Sequence, residues 1–249
     1  MSLIRPEVLE LFPTPIFLCE IDKKSTKKIS SLIYKEYKTN CDDVETWDKT
    51  KPGVTNNLFA KKIIEGFCKG ENVSSFQTNP DLQNRKEFSF VNDLIFNACR
   101  EWESRTNIEV DTFDISLMWA NIYRPNGQNP EHFHPNSFLS GIICVEDPQT
   151  TAHNGVKMAL GGTTFYAPIN QNFVITPRVK EEGSRYYSPT IRPEFRDGMM
   201  IIFPSWLRHA ATPYHPNEID KEKFRVTMSF NVNIRGKVGS VDQLTHSIF

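Results

Sequence analysis

Hydrophobic positions along the chain follow two periods, and the change between them falls near residue 110. Before it the pattern is helical. Ile29, Leu32, Ile33 and Tyr37 form one apolar stripe, which predicts a helix over 25–38 with Ser25 or Thr26 as its N-cap. Residues 40–85 are polar and rich in Asn, Asp, Lys and Thr, and read mostly as loop with a short helix around 57–67. Phe90, Leu94, Ile95, Ala98 and Trp102 share a face of a second long helix, from about Ser89 to Glu103. Ahead of these, the segment from Leu11 to Leu18 is apolar but interrupted by Pro13 and Pro15, which suits an edge strand.

After residue 110 the period drops to two. The run from Phe113 to Tyr123 reads as a half-buried strand, and β-like runs follow at 138–145, 162–166, 172–175, 198–203 and 225–234. Turn residues separate them: Arg124-Pro125-Asn126-Gly127, Gly161-Gly162, Asp197-Gly198 and Pro213. Several short strands after a helical preface predict an α+β protein, mainly β, whose β half is a jelly roll or sandwich with the helices packed on its sheet. No repeat, low-complexity tract or linker divides the chain. The expected organisation is a single domain over 1–249: helical preface about 1–108, jelly-roll core about 109–236, tail 237–249.

Composition narrows the classes. Lys plus Arg number 29 against 30 Asp plus Glu, so the net charge of −1 argues against a nucleic-acid partner. No apolar run approaches the ~20 residues that span a bilayer, and Arg5, Pro6, Glu7, Pro13 and Pro15 break the first twenty residues, which excludes a signal-peptide core. The five cysteines are scattered without CxxC spacing, so buried reduced thiols and a cytoplasmic location are expected rather than disulfides. A homo-oligomer stays open.

Candidate chemistry concentrates in Glu131-His132-Phe133-His134-Pro135-Asn136. Residues i and i+2 of an extended chain point the same way, so His132 and His134 can address one point. His209, closing the run that begins at Gly198, offers a third imidazole from a neighbouring strand. Three such ligands build an open mononuclear metal site; the alternative is three histidines satisfied separately by core or solvent. His153, His215 and His246 read as solvated loop residues. Arg225 opens the final strand, where Arg225, Thr227, Ser229 and Asn231 share the face opposite Val226, Met228 and Phe230. If that face looks inward, the guanidinium needs an anion, and a carboxylate would satisfy it bidentately; otherwise the side chain reaches solvent at the strand end.

Read in order, Trp119-Ala-Asn121, His132-Phe-His134-Pro-Asn-Ser-Phe-Leu-Ser140-Gly141, Phe203-Pro-Ser-Trp-Leu-Arg-His209 and Arg225-Val-Thr-Met-Ser-Phe-Asn231 resemble the 2-oxoglutarate/Fe(II)-dependent oxygenase superfamily. Within it, the chain is similar to a group found in bacteria and phages whose chains also open with a phrase like Leu11-Phe-Pro-Thr-Pro15. The resemblance implies a double-stranded β-helix (jelly roll) with an N-terminal strand, Fe(II) as metal and 2-oxoglutarate as cosubstrate. His132 and His209 match the iron histidines, and Arg225 matches the residue that binds the far carboxylate of the cosubstrate. A hydroxyl, Ser140 or Ser229, is implied beside it, and Asn121 is placed on the cosubstrate pocket. The implied activity is a dioxygenase that hydroxylates an unidentified substrate and releases succinate.

Two departures stand out. His134 occupies the position where the superfamily carries Asp or Glu, so either three imidazoles hold the metal or His134 stands behind His132, His209 and a water. The sixteen residues from His209 to Arg225 exceed the usual interval, and the insert from Tyr214 to Lys221 would absorb the difference. Competing readings are an inactive jelly-roll binding module, or a cupin-like metalloenzyme without 2-oxoglutarate; cupins usually carry a Glu where this chain has Phe138. Trp119, Tyr123, Tyr166 and Trp206 are candidates to line the pocket. Loops 40–85 and 176–195 are expected lids.

Overall fold

The computed structural model describes residues 13–42, 58–70, 74–148, 162–168, 188–213, 223–239 and 247–248. The period-two half folds into β3 (Thr112–Tyr123), β4 (Asn129–His132), β5 (Leu139–Glu146), β6 (Thr163–Tyr166), β7 (Thr190–Ile191), β8 (Met199–Pro204), β9 (His209–Ala211) and β10 (Arg225–Arg235). The expected strand at 172–175 lies outside the described residues. Two short strands join them: β1 (Phe17–Glu20) and β2 (Ser75–Gln77). They form a six-stranded sheet, β1-β8-β5-β10-β3-β2, and a four-stranded sheet, β4-β9-β6-β7, all antiparallel. From β3 to β10 the chain passes back and forth between the two sheets, with only β6 and β7 consecutive in one. That winding is the double-stranded β-helix, or jelly roll.

Alternation decides what each face meets. Met118, Ala120 and Ile122 of β3, Ile143 of β5, Met200 and Ile202 of β8, and Val226, Met228 and Phe230 of β10 are buried in one core with helix residues. The opposite faces of β8 and β5 supply Ile201, Phe203 and Cys144 to a smaller core with Phe165 and Leu207 between the sheets. Gly141 lies opposite Phe230, and a Cβ at Gly141 would clash with the Phe230 ring edge. Gly141→Ala is therefore expected to destabilise the fold by about 1–3 kcal/mol through overpacking, seen as a lower denaturant midpoint at unchanged slope.

Helix α1 (Lys23–Asp42) buries Ile29 and Ile33 as the stripe predicts. Its cap, however, is Asp22: Oδ1 accepts from the backbone N–H groups of Lys24 (2.9 Å) and Ser25 (3.0 Å). The helix starts two residues before the predicted 25, because the exposed Lys23 and Lys24 carry no apolar signal. Helix α2 (Leu58–Cys68) appears where the short helix was expected. In α3 (Ser89–Thr106), Val91 and Cys99 join Ile95, Ala98 and Trp102 in the core, while Phe90 and Leu94 are only partly buried. Asn107, at φ 54°, ends the helix in the left-handed conformation that Asn tolerates. α1 packs on β5, and α3 on β3 and β8. β2, in a stretch read as loop, adds to the edge of β3. β1 forms the opposite edge, as expected from Pro13 and Pro15 just ahead of it.

The cysteines correct one expectation. Cys41 and Cys68 are joined in a disulfide, their Cα atoms 5.4 Å apart across 27 positions of sequence. The ends of α1 and α2 come together in the tertiary structure, a proximity that local spacing does not encode. Closing a loop of that length is worth about 3.5 kcal/mol on the chain-entropy account. Cys19, Cys99 and Cys144 are free, and burial pushes their thiols up, Cys99 to about 12. Among the described residues no helix is long and apolar enough to cross a membrane.

Candidate active site

Two strands of the small sheet bring the imidazoles together. His132 ends β4 and pairs in register with His209, which opens β9. His134 follows β4 by two residues, and its position is set by the turn between β8 and β9. The His134 N–H donates to the Ser205 carbonyl at 3.0 Å, the Ser205 N–H donates to the Phe138 carbonyl at 3.2 Å, and the Ser205 hydroxyl donates to the Ser137 carbonyl. The Leu207 N–H donates to the Pro204 carbonyl at 2.9 Å, closing that turn, while the Leu207 side chain is buried between the sheets. The Pro-Ser-Trp-Leu phrase is thus the clamp that holds the loop after β4. Trp206 itself is exposed and does not line the cavity, and neither does Tyr166.

The ring centroids of His132 and His209 are 4.3 Å apart, and each lies 5.1 Å from that of His134. Their candidate ligand nitrogens all lie within 4.8 Å of one another, against the ~4 Å that two nitrogens on opposite sides of one ion span. Nδ1 of His132 lies 2.7 Å from the Pro130 carbonyl and Nδ1 of His209 lies 2.9 Å from the Leu207 carbonyl. A carbonyl only accepts, so both Nδ1 atoms carry the proton and both Nε2 lone pairs are left for a metal. Burial lowers the pKa of His209 to about 3 and of His134 to about 4, with the neighbouring imidazoles adding to the shift. Both are neutral near pH 7, so at these two a metal meets no competing proton. Phe203 (4.7 Å) and Phe165 (6.0 Å) wall His209, and Trp119 lies 5.7 Å from His134. Glu131 points away, pairing on the surface with Arg208 at 2.6 Å.

The same cavity runs down the inner face of the large sheet to Arg225. Arg225 is 1% exposed and pairs in register with Tyr123. Its guanidinium carbon lies 4.7 Å from the Tyr123 ring centroid, and Nη1 donates to the Thr212 carbonyl at 2.7 Å. Burial raises the Tyr123 phenol, which hydrogen-bonds Thr227, so it stays protonated. Asn121 and Ser229 line the middle, with Asn121 Nδ2 3.4 Å from Ser229 Oγ. Ser140 and Asn231 lie on the inward face but hydrogen-bond each other at 2.8 Å, and neither lines the cavity. The hydroxyls at the Arg225 end are therefore Tyr123 and Thr227, which alternation along β3 and β10 placed on this face without marking a role. Asn129 and Thr163 also line the cavity, and no sequence signal set them apart. His153, His215, His246 and parts of the expected lid segments, 43–57, 71–73 and 176–187, lie outside the described residues.

Three neutral nitrogen donors fit a divalent transition metal, and a buried guanidinium in the same cavity fits a carboxylate. Among the described residues no carboxylate joins the three imidazoles.

Residues 117–231 match a protein-family model described as "Putative 2OG-Fe(II) oxygenase". No curated protein matches the chain by sequence. Among solved structures the chain is similar to a 2OG-Fe(II) oxygenase family oxidoreductase from Burkholderia pseudomallei, at 12% identity and TM-score 0.48 over 88% of this chain and 84% of that one. It is also similar to HygX from Streptomyces hygroscopicus, solved with nickel, 2-oxoglutarate and hygromycin B, at 10% identity and TM-score 0.46 over 88% and 83%. The viral collagen prolyl hydroxylase of Paramecium Bursaria Chlorella virus-1, solved with 2OG, aligns at 13% identity and TM-score 0.44 over 86% and 94%.

Proposed function

We infer, from a chain that belongs to the 2-oxoglutarate/Fe(II)-dependent oxygenase superfamily through residues 117–231, that this protein is a hydroxylating dioxygenase that takes Fe(II) and 2-oxoglutarate. One observation carries the reading: a single cavity is lined by three converging imidazoles and by a buried arginine. His132, His134 and His209 hold the metal through nitrogens freed by the Pro130 and Leu207 carbonyls, or through His132 and His209 with His134 beside them. Arg225 binds the far carboxylate of the keto acid, with the Tyr123 and Thr227 hydroxyls as neutral donors next to it. Asn121 and Ser229 orient the middle of the cosubstrate. Phe165 and Phe203 keep water from the His209 side, which strengthens the charge interactions inside. Trp119 borders the route by which a substrate reaches the metal end. When bound, iron and keto acid supply the oxidation: dioxygen is consumed, 2-oxoglutarate is decarboxylated to succinate, and one oxygen enters a substrate C–H bond.

The reducing cytoplasm suits a chain in which three of five cysteines are free; the Cys41–Cys68 pair is the exception. The direct test supplies wild-type protein with Fe(II), 2-oxoglutarate and air and follows succinate, which uncoupled turnover releases even without the true substrate. Succinate above an iron-only control is expected. No succinate, together with no binding of 2-oxoglutarate to the Ni(II)-loaded protein, would leave the binding-module reading in its place.

A further inference from the structure

The Cys41–Cys68 bond sits at one end of a packed chain of side chains whose other end is the anion pocket. Cys41 lies in the last turn of α1 and Cys68 is the last residue of α2, both partly exposed. The residue before Cys68, Phe67, is fully buried, with ring centroids 5.9 Å from Tyr37, 6.1 Å from Phe76 and 5.9 Å from Phe224. Arg124 covers this group: its guanidinium carbon is 4.5 Å from the Phe67 centroid and 5.9 Å from that of Phe224. Its Nη2 also donates to the Phe67 carbonyl at 2.7 Å. Phe224 is bonded to Arg225 and Arg124 to Tyr123, and those two are a registered pair that lines the cavity. The two residues that form the anion pocket are thus each flanked by a neighbour resting on Phe67.

We propose that the Cys41–Cys68 disulfide is a redox switch on cosubstrate binding, open in the reduced protein and closed in the oxidised one. The proposal rests on the assignment of Arg225 to the 2-oxoglutarate carboxylate. α2 packs against α1 and β2 and makes no extensive contact with either strand that carries the metal histidines. The bond ties the end of α2, one residue beyond Phe67, to the last turn of α1 and adds a covalent link to the packing that holds Phe67 in place. Reduction takes two electrons and two protons from a dithiol, which leaves as its own disulfide, and yields thiols at Cys41 and Cys68. α2 then loosens, Phe67 loses its fixed place under Arg124 and Phe224, and the Tyr123–Arg225 pair is held less firmly. The triad, built on β4 and β9, does not depend on this cluster. Cys99 and Cys144 are buried with raised thiol pKa values and do not exchange under the same conditions.

The test titrates 2-oxoglutarate calorimetrically into the Ni(II)-loaded full chain, air-oxidised, dithiothreitol-reduced and reoxidised, with Cys41→Ser/Cys68→Ser alongside. Reduction is expected to weaken 2-oxoglutarate binding about fivefold or more, reversibly in wild type, with the double variant fixed at the reduced value. Ni(II) affinity without 2-oxoglutarate should be the same throughout. Equal 2-oxoglutarate affinity in both redox states would overturn the switch while leaving the oxygenase reading intact. Loss of Ni(II) binding together with far-ultraviolet circular dichroism on reduction would also overturn it, because the bond would then hold the whole fold. Peptide mapping that finds Cys41 and Cys68 unpaired in air-oxidised protein would do the same. Absence of 2-oxoglutarate binding in every state would instead remove the carboxylate assignment, and the switch with it.

Discussion

Arg225→Ala should raise the KM for 2-oxoglutarate at least about 25-fold, with a much smaller change in kcat once cosubstrate saturates. The side chain is buried and lines the cavity, so a carboxylate paired with it would be shielded from water and salt. Removing one partner of a buried, hydrogen-bonded charge pair costs about 2–5 kcal/mol, and 1.4 kcal/mol is about tenfold in affinity. The interaction is made equally before and during the reaction, so its loss falls on KM. Arg225→Lys keeps the charge and loses the fork, and is expected to lie between wild type and alanine. Metal binding without 2-oxoglutarate should be unchanged in both variants, since the triad stands on the other sheet. Succinate assays across a cosubstrate range, with calorimetry on the Ni(II) form, read both numbers. A KM within twofold of wild type for Arg225→Ala would remove Arg225 from the cosubstrate site.

His134 carries the second large effect, and the choice of replacement separates the two possible roles. If His134 binds the metal, His134→Ala should lower metal affinity at least about 100-fold, beyond the 10–100-fold typical when a residue behind a ligand is lost. His134→Asp should restore binding, because a carboxylate oxygen is also a ligand and adds the negative charge that three imidazoles lack. His209→Ala sets the scale for losing a ligand whose tautomer is fixed by the Leu207 carbonyl. Metal affinity of the three variants, measured anaerobically with Fe(II) and in air with Ni(II), orders them. Equal affinity for wild type and His134→Ala would place His134 behind the metal. With three neutral ligands the bound ion keeps its full double charge, so the anionic cosubstrate should strengthen metal binding more in wild type than in His134→Asp.

Much of the site was legible because it is built on strands. Alternation alone put Arg225, Thr227 and Ser229 on one face of β10 and Val226, Met228 and Phe230 on the other, and the two faces meet the cavity and the helix-packed core respectively. The HxH spacing set two imidazoles on one side of an extended chain. Whether a third belonged with them depended on which strand pairs with β4, a non-local fact settled by the jelly-roll winding and the His132–His209 register. Ser140 shows the opposite case: the resemblance implied its hydroxyl beside Arg225, but that hydroxyl is taken by Asn231 across the β5–β10 pair, which no single-strand pattern reveals.

Sequence by itself determined the main helices and longer strands, the opposed faces of the final strand and the types of donor present, because period and residue chemistry act over a few neighbouring positions. The tertiary structure decided which donors share a cavity, which hydroxyls remain available to a ligand, and that two scattered cysteines meet at the ends of α1 and α2. Those outcomes depend on strand pairing and helix packing across tens to a hundred residues, where the free energy comes from burial of whole faces rather than from any local spacing.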